Sequence, residues 1–236
     1  MSRGVSASFR EGALAAIPVC VAFFAITVAF GIAAHATGLA AGEVLLMSAV
    51  VFAGPAQFPA IELLPLSGQA MQILLSTLFI NFRFAVMSFA LVPHLKRVRT
   101  AGLVAGAQLI TMSTFAVSFL RFQRRSDHDN FIYFLGVAIP SYICYLVGTV
   151  VGYYFGVRIP AGFEEGISFI FPAYLAALLG AELREGRSIA VVGVAFLATP
   201  VVEALVPGWG LILNAMGVAT AAIGAEAWWE SASPSS

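Results

Sequence analysis

Charge is what this chain has least of. Only 10% of its 236 residues are Asp, Glu, Lys or Arg, whereas soluble domains carry roughly 25%, and 60% are hydrophobic. Mean hydropathy is +0.94. This composition excludes an ordinary water-soluble domain. The formal net charge is zero, so no basic field recommends nucleic acid as a partner. Cysteine is nearly absent: Cys20 and Cys144 both fall in apolar runs, where they read as small hydrophobes, not as a disulfide or metal site. The histidines, His35, His94 and His128, stand at segment ends or in loops, and no HExxH, Walker or GxSxG pattern occurs. These absences argue against an enzyme, a metal centre or a cofactor. The opening MSRGVSASFREG is polar and is not followed by a short apolar core with a cleavage site, which reads against a removable signal.

What is present is apolar length. Eight segments, roughly 13–34, 44–64, 69–92, 101–120, 131–156, 166–181, 188–206 and 209–226, reach or approach the ~20 residues that cross hydrocarbon. The expected fold is an all-α polytopic membrane protein of about seven to eight hydrophobic segments. It would form a single transmembrane domain over 1–230, followed by a disordered tail at 231–236.

Segment 44–64 differs from the rest. Inside one apolar run it carries Gly54-Pro55, Gln57, Pro59 and Glu62. Proline removes a backbone donor and clashes with the preceding turn, so the pair predicts a broken or re-entrant helix. Backbone freed in this way is tolerated at membrane depth only against other protein or a water-lined cavity, and transporters build substrate sites from such segments. The alternative is a kinked helix buried in a bundle, with Gln57 bonded to a neighbour. The positions of Lys and Arg bear on the same question. If every segment crosses and the N-terminus is cytoplasmic, 7 fall inside and 4 outside. If 44–64 and 101–120 each dip in and return, 10 fall inside and 1 outside.

A faint internal echo is also present. Ala16-Ile17-Pro18 and Phe30-Gly31 match Ala138-Ile139-Pro140 and Phe155-Gly156, and Phe58-Pro59-Ala60 matches Phe171-Pro172-Ala173. One reading is a pair of structural repeats, 10–125 and 130–228, with a site between them at mid-membrane. The other is chance in an Ala- and Phe-rich chain.

Polar residues inside the segments are the candidates for chemistry. Asn81 and Arg83 lie near the middle of 69–92, where an unpaired arginine costs at least ~2.5 kcal/mol. Arg83 is therefore expected inside the protein, clamping a substrate carboxylate, pairing with Glu62 or capping broken-helix carbonyls. Segment 101–120 holds Gln108, Thr111, Ser113, Thr114 and Ser118; Thr111 and Thr114 share a face with Ser118 and either line a polar path or serve helix packing. Glu62 and Glu203 are candidate proton-coupling carboxylates, and Asn214 is a further deep polar residue. The aromatic residues of 131–156 read as packing and interface anchors.

Several of these residues resemble one family. Pro18, Phe30-Gly31, Met47-Ser48, Val51 to Gly54, Gln57-Phe58, and Asn81 with Arg83 stand as in the AzlC family, the large subunit of a bacterial branched-chain amino acid export system. FPAYLAALL looks like a later family segment. The chain departs from the family at Pro55, at Phe84, and at Thr111-Met112-Ser113-Thr114, where family members often carry an acidic run. The resemblance implies a multi-pass protein of the bacterial inner membrane that exports branched-chain or related neutral amino acids, coupled to the proton-motive force. It would work with a small AzlD-like membrane subunit, with a dimer of heterodimers in the lipid bilayer as the further expectation. The residues expected at the substrate are Gly54, Gln57, Phe58, Asn81, Arg83, Thr111 and Thr114. The alternatives are an exporter of another small organic anion or amino acid analogue, and a non-transporting scaffold subunit.

Overall fold

A computed structural model describes residues 2–64, 70–95, 98–124, 129–156 and 186–205, with isolated positions elsewhere beyond 157. The chain divides into two compact units, Met1–Pro172 and Ala173–Ser236. Among the described residues the regular structure is helical throughout, as the sequence predicts for an all-α membrane protein.

The first unit is built on two helical rods. α1 (Ser2–Ala15) and α2 (Ile17–Ala36) run almost end to end, because the hydrogen bonds from Ala16 to Gly12 and from Cys20 to Ala16 carry the ladder through the junction. Pro18 lies in the first turn of α2, where its missing donor is not needed. α8 (Asn130–Gly156) lies alongside and runs in the same direction. Phe9 meets Gly136, Phe24 meets Gly148, Val28 meets Gly152 and His35 meets Gly156. The approach is so close that a Cβ on Gly31 would fall on the Thr149 carbonyl oxygen, and one on Gly152 on that of Val28. Small residues hold membrane helices together by allowing such backbone contact. The face where α1 and α8 begin is called the near face below, and the opposite one the far face.

Three described helices are long and apolar enough to span a bilayer: Ile17–Ala36, Asn130–Gly156 and Ala70–His94. The last comprises α5 (Ala70–Leu91) and a 3₁₀ turn, Val92–His94. It ends at the near face, where the Asn130 side chain donates to the His94 carbonyl at 3.1 Å.

The two segments suspected of returning do return. From the far face, where Tyr153 donates to the Leu39 carbonyl, α3 (Ala41–Val51) descends along α8 until Phe52 meets Phe23, Tyr142 and Tyr145. The chain turns at Phe52-Ala53. α4 (Gly54–Leu63) then climbs back, so that Phe58 meets Phe30, two helical turns farther along α2 than Phe23. α6 (Thr100–Ala107) starts at the near face, with Gly102 and Gly106 against Phe131. α7 (Met112–Arg124) comes back to the same face, with Phe122 on Tyr133 and Arg121 bonded to Asn130. α3 and α4 have 11 and 10 residues, about 16 and 15 Å, so neither alone crosses ~30 Å of hydrocarbon. Among its described residues the first unit thus has three helices long and apolar enough to span and two hairpins, one entering from each face.

The break in 44–64 is real, but its cause differs from expectation. The prolines do not sit at the gap. Pro55 lies in the first turn of α4 and starts that helix, while Pro59 is carried inside it. The gap is Phe52, in the left-handed region at φ 45°, and Ala53, extended at φ −147°. A bulky residue rarely adopts this left-handed conformation, which costs roughly 1–2 kcal/mol. Here the rings of Phe23, Tyr142 and Tyr145 fix Phe52 in place.

At the near face a small electrostatic cluster ties the helix ends together. Arg121 donates from Nε and Nη2 to the Glu11 carboxylate, each at 3.1 Å, donates from Nη1 to Asn130, and stacks 4.3 Å over Tyr133. In the second unit, α9 (Gly186–Leu205) meets the chain around Asn214, whose amide donates to the Ala195 carbonyl and to Thr199.

Candidate functional site

Breaking a helix at mid-depth leaves its last carbonyls and its next first N–H groups without partners. In the α3–α4 hairpin the carbonyls find partners on other elements. Tyr142 donates to the Ala49 carbonyl at 2.9 Å, Gln108 donates to that of Val50 at 2.6 Å, and the Phe52 N–H returns to Ser48.

Behind the break lies a closed polar circuit in an apolar wall. The Gln57 side-chain N–H₂ donates to Ser48 at 3.1 Å. Ser48 bonds Thr149 at 3.0 Å, and Thr149 donates to the Tyr145 carbonyl at 3.0 Å. The Tyr145 hydroxyl donates to the Gln57 side-chain oxygen. Because Thr149 uses its proton on Tyr145, the proton between Ser48 and Thr149 belongs to Ser48. Gln57 and Ser48 are fully buried, and Tyr145 and Thr149 nearly so. A circuit with every member bonded fixes one arrangement of the hairpin, because an unpaired polar group there is costly.

The second hairpin solves its own break differently. Thr111 and Thr114 cap each other: the Thr111 N–H donates to Thr114 Oγ1 at 2.8 Å and the Thr114 N–H to Thr111 Oγ1 at 3.2 Å. Thr114 Oγ1 also bonds the Leu109 carbonyl. This threonine pair takes the place of the more usual Ser/Thr with Glu/Gln capping box. It closes the turn without putting negative charge on the α7 N-terminus.

The tips of the two hairpins therefore meet at mid-depth, with Gln108 and Val50 in direct contact and both exposed on the surface of the unit. Four helix ends converge there, the C-termini of α3 and α6 and the N-termini of α4 and α7.

Of the residues expected at the site, Gly54, Gln57 and Phe58 lie on the α3–α4 hairpin and Thr111 and Thr114 at the tip of α6–α7. Both amide atoms of Gln57 are engaged by the chain itself. Arg83, expected inside the protein with a polar partner, is exposed on α5 instead, its guanidinium 5.1 Å over the Phe84 ring. Asn81 is half-buried, and its Oδ1 has no hydrogen-bond partner among the described residues; the same holds for the fully buried hydroxyl of Ser118. Glu62 is exposed on α4. The side chain of Glu203 lies outside the described residues. No cluster of metal-ligating side chains occurs among the described residues.

The sequence reading missed Tyr142, Tyr145 and Thr149. Their spacing, i, i+3 and i+7 in an apolar segment, puts three hydroxyls on one helical face and was the signal available.

Comparisons with known proteins agree on the family. Residues 18–159, which include both hairpins, match the family model described as AzlC protein. Inner membrane protein YgaZ of Escherichia coli K12 is 24% identical over 193 residues, covering 79% of this chain and 78% of that protein. An uncharacterized membrane protein of Archaeoglobus fulgidus is 29% identical over 147 residues, 62% of each chain. No solved structure matches the chain. A family match across more than half the length, on a helical chain with bilayer-spanning helices, leads to one conclusion: this chain belongs to the AzlC family of membrane proteins.

Proposed function

We propose that this chain is the large subunit of a secondary transporter that exports branched-chain or related neutral amino acids, driven by the proton-motive force and assembled with a small AzlD-like subunit. The observation that carries the transport reading is the meeting of two opposed hairpin tips at membrane depth. An amino acid is a zwitterion, and helix ends of both polarities converge at that point. The first turn of α7 offers the N–H groups of Met112 and Ser113 to a carboxylate, and the α3 C-terminus offers the Val51 carbonyl to an ammonium group. Phe52 and Phe58, buried here against Phe23, Tyr142, Tyr145 and Phe30, would supply the apolar wall for an aliphatic side chain once the hairpin is displaced.

Exposure would alternate by displacing one hairpin and then the other from the fixed α1–α2/α8 rods. Displacing the far hairpin means parting Gln57 from Tyr145 and Ser48 from Thr149. Displacing the near one means parting Gln108 from Val50. Glu62, exposed on the α4 arm of the far hairpin, is the coupling carboxylate best placed to change environment as that hairpin moves.

One observation favours a second reading, an exporter of another small organic anion. The Thr111–Thr114 cap leaves the positive end of α7 without a neutralising acid. The test is efflux from liposomes holding this chain together with the small subunit. Leucine or valine flux that follows an imposed proton gradient supports the first reading. Flux of small carboxylates alone supports the second. No flux of either kind supports a scaffold.

A further inference from the structure

Three hydroxyls on one face of α8 hold the far hairpin. Tyr142 donates to the Ala49 carbonyl and Tyr145 to the Gln57 side-chain oxygen, while Thr149 accepts the proton of Ser48. Thr149 keeps its own proton on the Tyr145 carbonyl, so it serves the hairpin as an acceptor only. The rings of Tyr142 and Tyr145 each lie 4.9 Å from that of Phe52, and Phe23 closes the same pocket. Phe52 fills the pocket from a left-handed backbone, φ 45°, that a bulky residue rarely takes. Strain of this kind collects at clamps and switches. The bond from Gln57 to Ser48 joins the two arms of the hairpin and travels with them. Lifting the hairpin therefore strips the α8 wall of two acceptors, one donor and one apolar group at once. In an apolar surrounding, hydroxyls left without partners are costly.

We infer that Phe52 is an internal plug, and that the wall it vacates is a second substrate station. There the Tyr142 and Tyr145 hydroxyls donate to a carboxylate and Thr149 Oγ1 accepts from an ammonium group. An aliphatic side chain takes the place of the Phe52 ring among Phe23, Tyr142 and Tyr145. A neutral amino acid carries all three groups on one carbon, so it replaces what the hairpin withdraws. A ligand that binds only the open wall shifts the hairpin toward opening, and without it the hairpin stays seated. This station rests on the hairpin movement proposed above and adds to the one at the hairpin tips. Its test is read on binding and does not depend on flux.

Phe52→Gly removes the plug and its strain together. In equilibrium dialysis, the purified full chain with Phe52→Gly should bind L-leucine about tenfold tighter or more than the unsubstituted chain, while glycine, without a side chain, gains nothing. In the Phe52→Gly background, Tyr142→Phe with Tyr145→Phe should weaken leucine and 4-methylpentanoate about tenfold and spare 3-methylbutylamine. Thr149→Val should weaken leucine and the amine and spare 4-methylpentanoate. Misfolding does not sort losses by ligand group in this way. The inference is overturned if leucine gains nothing from Phe52→Gly, if glycine gains as much, or if the losses do not sort. A second measurement keeps Phe52. In a Cys20→Ser, Cys144→Ser background, Ala53→Cys, buried at the turn, should react with a lipid-soluble maleimide about tenfold faster in saturating leucine and no faster in glycine. Unchanged or slower labelling overturns the inference even where Phe52→Gly does not fold. Leucine binding without flux in liposomes leaves the wall station standing and removes the transport reading; flux without binding at the wall does the reverse.

Discussion

The side chain of Gln108, at the tip of the near hairpin, donates to the backbone carbonyl of Val50, at the tip of the far one, across 2.6 Å. Each hairpin thus supplies what the other lacks at its turn. Since Gln108 is exposed, its loss should leave the fold intact and act on transport. Gln108→Leu is expected to keep normal abundance while changing flux at least tenfold. Unchanged flux would separate the tip contact from function.

The hairpins themselves can be checked by accessibility. Gly38→Cys and Leu64→Cys should react with a membrane-impermeant thiol reagent from one side of the membrane, and Thr100→Cys and Arg124→Cys from the other. Labelling of Gly38 and Leu64 from opposite sides would mean that α3–α4 crosses.

Gln57 and Tyr145 should be coupled in stability. Tyr145→Phe leaves the Gln57 oxygen buried and unpaired, at a cost of about 1–3 kcal/mol. Gln57→Leu removes the acceptor of the Tyr145 hydroxyl, at a similar cost. The double variant should cost less than the sum of the two in thermal unfolding in detergent. Strict additivity would show that the circuit is not one unit.

Phe52 gives a sharper contrast. Alanine and glycine both remove the ring, but only glycine adopts φ 45° without strain. Phe52→Gly should therefore be milder than Phe52→Ala by roughly 1 kcal/mol, against the usual order of the two residues. The reverse order would mean that the turn has relaxed.

Among the glycines, Gly152→Ala should be poorly tolerated, because its methyl group meets the Val28 backbone, which cannot give way as a flexible side chain would. The cost of such overpacking is about 1–3 kcal/mol or more. Gly42→Ala, with nothing within 4 Å of the new atom, is the neutral control. Equal abundance of the two variants would contradict the packing of α2 on α8.

How far these features can be read in the sequence depends on how local their causes are. The far hairpin announces itself, because Gly54, Pro55 and Gln57 are out of place in any single lipid-facing helix. Its exact turn does not, because a proline at a helix start is indistinguishable in sequence from one that breaks a helix. The near hairpin is visible only through where Arg and Lys collect, since Thr111 and Thr114 cap each other with side chains that could equally belong to a continuous helix. Tyr145 and Thr149 were hidden for another reason. Their partners, Gln57 and Ser48, are 88 and 101 residues away, so no local pattern marks the pairing. Arg83 was expected inside the protein because an unpaired charge is costly in lipid, and the structure exposes it on α5 instead, since that cost says nothing of which residues a helix packs against.

The parallel packing of α1–α2 with α8 sets an order of events during synthesis. When the far hairpin enters the membrane, Ser48 and Gln57 can bond each other but have no Thr149 or Tyr145 to complete the circuit. Until those residues leave the ribosome, nearly a hundred positions later, α2 presents the bare backbone of Gly31 to whatever lies beside it, and the hairpin has nothing to lean on. The first unit thus cannot mature helix by helix as it is threaded in. It must wait for α8, which makes the interval between the two insertions the time when a lipid, an insertase or a misplaced helix can occupy the groove that α8 will later fill.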